Sequence, residues 1–171
     1  MNTATIRKPA KQAGVTGNEW EHKYLTLSIE REEYAVSVAK VREIIGVGPI
    51  TRLPNMAAHI KGVLNLRGSV VPVVDLRLKY GLAGRDYTDR TCIVVLELEG
   101  RAGPNLMGVV VDSVNEVVRI PPDRLAPPPA GAERLMNGCV PGVANWGDKV
   151  YIVVDIEKAL ADDAFYADAG F

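Results

Sequence analysis

From Trp20 onward, short β-branched runs alternate with turn residues. Tyr24–Ile29, Tyr34–Ser37, Val70–Val74, Thr91–Leu98, Gly108–Val111 and Val150–Val154 read as strands. Many are Val-Val stretches bounded by Gly, Pro or Asn, the pattern of short sandwich or barrel strands. Gly100, Gly103, Pro104 and Asn105 predict a long hairpin loop. One long helix is predicted, at the C-terminus. There Asp155 caps a segment from Glu157 to about Tyr166, and Ile156, Leu160 and Ala164 form a stripe that would pack on a barrel. Residues 1–19 are polar and lack an apolar segment, which predicts a disordered leader and not a secretory signal.

The strands occur in two sets. Gly62–Leu76 reads GVLNLRGSVVPVVDL and Gly142–Ile156 reads GVANWGDKVYIVVDI, identical without a gap at 7 of 15 positions. Upstream, Val36–Ile45 aligns with Val109–Val118 and shares the valines of Val36, Val38 and Val41 and the glutamate of Glu43. Both matches fall in the same order, the mark of an internal duplication. Two copies are too few for a solenoid. Two small barrels side by side fit better, because closure removes exposed sheet edges. Each half of roughly 65 residues would bury only a marginal core, so the halves are expected to share an interface or exchange strands.

Duplication supplies an internal control: positions kept in both copies serve the fold, and positions that differ are free for function. Asp75 and Asp155 are equivalent, each at a strand end before a helical turn, where a carboxylate accepts backbone N–H bonds. Two lobes each giving an aspartate also describes an aspartic protease. That site needs Asp-[Ser/Thr]-Gly, whereas Leu76-Arg77 and Ile156-Glu157 follow here. Arg67, in the turn Asn65-Leu66-Arg67-Gly68, is replaced by Gly147 in the second copy. The turn is built without the arginine there, so a guanidinium at this tip reads as a group for bidentate bonding to a partner.

Composition narrows the chemistry. The net charge is −1 and aromatics are 6% of residues, with neither a basic face nor the stacking platforms of a nucleic-acid binder. No apolar run approaches the ~20 residues that span a bilayer. Only His22 and His59 are present, too few and too poorly placed for a triad. Gly46-Val47-Gly48 lacks the rest of a dinucleotide loop, and Cys92 and Cys139 have no metal-ligand spacing, reading as buried thiols of a cytoplasmic protein. No catalytic, cofactor or metal site is expected.

Five blocks then stand in order: Tyr34-Ala35-Val36, Val41–Gly46 (VREIIG), Ile50–Asn55 (ITRLPN), Ile60–Gly68 (IKGVLNLRG) and Val71–Arg77 (VPVVDLR). Together they resemble the CheW family of bacterial chemotaxis adaptors, in register from about Tyr24 to the C-terminal helix. The resemblance implies an all-β fold of two intertwined five-stranded SH3-like β-barrels with a C-terminal helix. Its boundaries here would be a CheW-like domain over 20–168, with a first barrel at 20–85, a second at 86–156 and the helix at 157–168. It also implies a non-catalytic adaptor, cytoplasmic and recruited to membrane-associated arrays, joining the cytoplasmic tip of methyl-accepting chemoreceptors to the regulatory domain of the histidine kinase CheA. Position by position, the implied receptor-binding residues are Val41, Glu43, Ile44, Gly62, Asn65, Arg67 and Val117. Val41 and Ile44 would offer an apolar stripe for a helix, with Glu43 and Arg67 setting register. The proline-rich stretch Pro121–Gly131 reads as a stiff polyproline loop. The competing functions are a like adaptor in a parallel motility system and a hydrolase using Asp75 and Asp155.

Overall fold

The computed structural model describes residues 20–100, 103–130 and 138–163. The strands are β1 (Lys23–Ile29), β2 (Glu32–Ser37), β3 (Val41–Gly46), β4 (Ile60–Leu66), β5 (Ser69–Asp75), β6 (Cys92–Gly100), β7 (Gly103–Val111), β8 (Ser113–Arg119), β9 (Leu125–Ala126), β10 (Gly142–Trp146) and β11 (Lys149–Val154). One-turn helices α1 (Leu76–Lys79) and α2 (Ile156–Ala159) follow β5 and β11. One sheet runs β8-β1-β2-β11-β10-β9 and the other β3-β6-β7-β5-β4. Each sheet therefore takes strands from both copies. A boundary near residue 85 separates the copies along the chain but not the sheets, because β1 and β2 pair with second-copy strands, and β6 and β7 with first-copy strands. One sheet has six strands where five were expected. The extra one is the two-residue β9, formed inside the expected polyproline loop, and the isolated Thr51–Val63 bridge is its first-copy counterpart.

The exchange places the apolar surface. Ile45, Leu64, Val71, Val73, Ile93, Val95 and Val110 come from all five strands of one sheet and pack on each other. Tyr24, Ala35, Val118, Leu125, Ala144, Tyr151 and Val153 do the same in the six-stranded sheet. A sheet face covered only by itself is a barrel interior. The opposite faces meet in a much larger core. There Leu25, Leu27, Ile29 and Val36 of one sheet join Ile44, Val74, Val94, Leu96, Met107 and Val109 of the other. Among the described residues that shared cluster holds 21 buried residues, against six and five in the barrel interiors, so neither barrel carries an adequate core alone.

Both aspartates cap as expected. Asp75 Oδ1 accepts from the N–H of Arg77 at 2.9 Å and of Leu78 at 3.4 Å, and Asp155 Oδ1 accepts from Lys158 at 3.2 Å. Asp75 is buried and also accepts from the Tyr87 hydroxyl at 3.3 Å, whereas Asp155 is exposed. The helix that Asp155 caps is one turn, Ile156–Ala159, followed by turn residues to Asp163; Ala164 and Tyr166 lie outside the described residues, as does the leader 1–19. Ile156 and Leu160 are buried in the shared core as the stripe requires. The predicted long hairpin loop is instead mostly strand, since β6 and β7 stay in register out to Gly100 and Gly103.

Replacing Asp75 by alanine is expected to cost roughly 1–2 kcal/mol in urea unfolding, against about 1 kcal/mol for Asp155→Ala, because only Asp75 loses several buried bonds. Burial first, and then the nearby Asp75, pushes the Tyr87 phenol up to about 12. Burial also raises Tyr34 and Tyr80. Folding thus favours the neutral phenols. Their contribution is fully present below the unfolded-state value of about 10 and is lost as pH rises through the folded values. Stability measured from pH 9 upward should fall, and less steeply in Tyr87→Phe; a pH-independent midpoint up to 12 would contradict this.

Candidate functional site

The β4–β5 hairpin turns through Arg67 and Gly68, both in the left-handed region with φ of 50° and 88°. Asn65 Oδ1 accepts from the Gly68 N–H at 2.8 Å and ties the turn. A left-handed arginine is unfavourable, and the second copy places Gly147 there at φ 63°. The arginine is kept against backbone preference, so its side chain has a use. Arg67 Nη1 and Nη2 donate to Glu43 Oε1 and Oε2 at 2.7 and 2.8 Å, a bidentate pair. These bonds and the carboxylate charge raise the guanidinium above its already high range. Glu43 is only 3% exposed, while the Arg67 side chain is 59% exposed.

Glu43 is buried because β3 has an irregular register between Val41 and Glu43. Beyond that point Glu43 sits opposite Val95, whose side chain faces the barrel interior. A carboxylate there must be paired. β3 and β4 are the two edges of their sheet, so the Arg67–Glu43 pair links the β4–β5 tip to the far edge strand and helps close the barrel. The duplication places a glutamate at the equivalent position of the second copy, but there it is exposed and escapes this constraint. Glu116 occupies the position of Glu43 on edge strand β8, and the Tyr151 hydroxyl donates to its Oε1 at 3.4 Å from β11. Tyr151 aligns with Val71. The second copy needs no arginine at its tip because Glu116 is exposed to water, whereas Glu43 is buried. Arg67 is therefore not free of the fold, which corrects the inference from Gly147 that packing does not require it.

The other expected contact residues divide. Val41 and Ile44 belong to the shared core, so they do not present a surface stripe. Gly62 has φ 134°, and a Cβ there would lie 2.0 Å from the Thr51 carbonyl oxygen. Its second-copy equivalent, Gly142, is similarly confined by Ala126 O at 2.8 Å. Asn65 and Arg67 are exposed at the tip. Val117 is 42% exposed on β8, opposite Leu25, whose side chain enters the core containing Val41 and Ile44. Sequence reasoning passed over Val70 and Val150, which are equivalent and 41% and 57% exposed, each opposite an asparagine in its hairpin. The alignment pairs them as strand residues, and the rule that shared positions serve the fold gave no reason to single them out as surface. Neither cysteine forms a disulfide, and burial pushes both thiols up, Cys92 to about 11. Among the described residues no cluster of His, Cys, Asp and Glu could hold a metal ion. His59 bonds to Asp163 at 2.9 Å, a contact that ties the chain beyond α2 to the start of β4.

A strand-exchanged pair of barrels with a charged, half-exposed hairpin tip is the design of a binding scaffold. The CheW-like domain family matches residues 23–164. The chain is 36% identical to the chemotaxis protein CheW of Klebsiella aerogenes over 160 residues, covering 94% of this chain and 92% of that one. CheW of Bacillus subtilis is 28% identical over 138 residues, 81% and 86% of the two chains. The crystal structure of the scaffolding protein TtCheW from Thermoanaerobacter tengcongensis matches with a TM-score of 0.70 at 30% identity, covering 78% of this chain and 88% of that one. The chain belongs to the CheW family, and its function is that of a chemotaxis coupling adaptor.

Arg67→Ala should lower the thermal midpoint, because Glu43 is left buried without its partner. Adding Glu43→Gln removes the stranded charge and should recover part of that loss. A midpoint unchanged by Arg67→Ala would mean that Glu43 finds water once the arginine is gone.

Proposed function

We propose that this adaptor couples the cytoplasmic tip of methyl-accepting chemoreceptors to the regulatory domain of the histidine kinase CheA, without catalysing a reaction itself. The observation that carries the receptor contact is the Arg67–Glu43 pair. It holds an exposed guanidinium in fixed orientation on the β4–β5 hairpin tip while pairing a buried carboxylate. Asn65 shares that tip, and Val117 is exposed on edge strand β8, opposite Leu25 of the shared core. Val41, Glu43, Ile44 and Gly62 then act from beneath, by shaping the edge strand and the hairpin on which the contact residues stand. Family membership supports the partners, and the scaffolding role in the name of TtCheW supports the absence of chemistry. No helix among the described residues is long and apolar enough to cross a membrane, which fits recruitment from the cytoplasm to receptor arrays.

Reconstitution with receptor-tip fragments and CheA, reading kinase autophosphorylation, tests the reading. Loss of both tip binding and any effect on the kinase by the unaltered protein would overturn it. Within that assay Arg67→Ala should weaken tip binding severalfold. Arg67→Ala with Glu43→Gln should regain stability but not affinity. Recovery of affinity with stability would assign Arg67 to the fold alone.

A further inference from the structure

The described chain passes between the sheets at two points, β2 to β3 and β7 to β8. Ala39-Lys40 lies at the first crossover and the equivalent Asp112-Ser113 at the second. Each crossover is held by the one-turn helix of the other copy. Arg77 of α1 is buried and donates through Nη1 to Asp112 Oδ2 at 2.8 Å, with its other contacts going to Glu30 and the Ala83 carbonyl. Its equivalent in α2 is Glu157, which accepts from Lys40 Nζ at 2.7 Å. Asp112 Oδ2 also accepts from the backbone N–H of Glu30, and Glu157 Oε1 from that of Glu99, so each pair ties down the hairpin turn beside it. The contacts are analogous, one residue out of register because Asp112 aligns with Ala39 and Lys40 with Ser113, and the signs are reversed: a cationic helix on an anionic crossover, and an anionic helix on a cationic one.

We propose that this opposite polarity selects the strand-exchanged topology over one in which each copy closes on itself. In the self-closed arrangement β5 would pair with β2 and β11 with β7, the repeat equivalents of the pairings seen. Helix α1 would return to its own crossover and bring Arg77 to Lys40, and α2 would bring Glu157 to Asp112. Both contacts would join like charges. The exchanged form makes two attractive contacts where the self-closed form makes two repulsive ones. Charge placed to penalise a competing fold is a general route to specificity.

The Lys40→Glu, Glu157→Lys double variant separates stability from selection. It keeps both exchanged contacts attractive, as Arg77 with Asp112 and the new lysine with the new glutamate. It also turns both self-closed contacts attractive. Each single variant should lower the urea midpoint, and the double variant should regain more than half of that loss. After refolding from urea, the double variant should yield a second population, seen as extra amide resonances from β2 and β11 or as a dimer on size-exclusion chromatography. The unaltered protein and a Lys40→Ala, Glu157→Ala control should each refold to one species. A double variant that stays unfolded or no more stable than the singles would show that the pair is not the contact described. A double variant that refolds to one species with the parent spectrum would show that these charges do not choose the topology.

Discussion

Leu25, Leu27 and Ile29 lie on one sheet and Val94, Leu96 and Val109 on the other, and their burial against each other is the contact on which the rest depends. The five or six residues fully enclosed within a barrel do not offset the conformational entropy of ordering its strands. The shared core does. It also dictates where the chain turns, because the strands feeding it must leave one sheet and enter the other after β2 and again after β7. The short helices end the strands that border these crossovers, and their capping aspartates are retained in both copies because both crossovers need the same stop.

With the core between the sheets, the hairpin tips at their ends carry little packing duty. They can diverge, and they have. Both copies place a glutamate at one position of an edge strand, Glu43 and Glu116. One is buried and answered by an arginine from a turn, and the other is exposed to water. The first leaves a cation half in solvent at a strained backbone position, and the second leaves the tip to glycine. Only the first of these offers a partner something to read.

The strands of the shared core were legible because their valine runs are bounded by turn residues, and the two caps because aspartate at a strand end has few other uses. β3, β4, β8, β9 and β10 were not. In β3 the irregular register between Val41 and Glu43 breaks the alternation that marks a strand, and β4 breaks between Ile60 and Gly62 in the same way. Edge strand β8 exposes Asn115, Glu116 and Val117 in succession, which reads as loop. Val41 and Ile44 form no surface stripe because the irregular register between Val41 and Glu43 turns both side chains into the shared core. Arg67 was recognised as distinctive but not as paired, since nothing local shows that Glu43, 24 residues earlier, faces the same barrel mouth.

Strand exchange was open to the duplication alone as an option, and only the family resemblance implied intertwined barrels. In a perfect duplication every contact between copies has an equivalent within a copy, of the same chemistry and energy. The topology can then be decided only by linker geometry or by positions where the copies differ. Arg77 and Glu157 differ in sign, as do the charges at the crossovers they meet. The individual pairs need not be strong. At the roughly 0.5 kcal/mol of a partly solvated pair, replacing two attractions by two repulsions amounts to about 2 kcal/mol, more than a tenfold population ratio. A duplicated chain thus acquires one preferred fold through the residues in which its copies disagree.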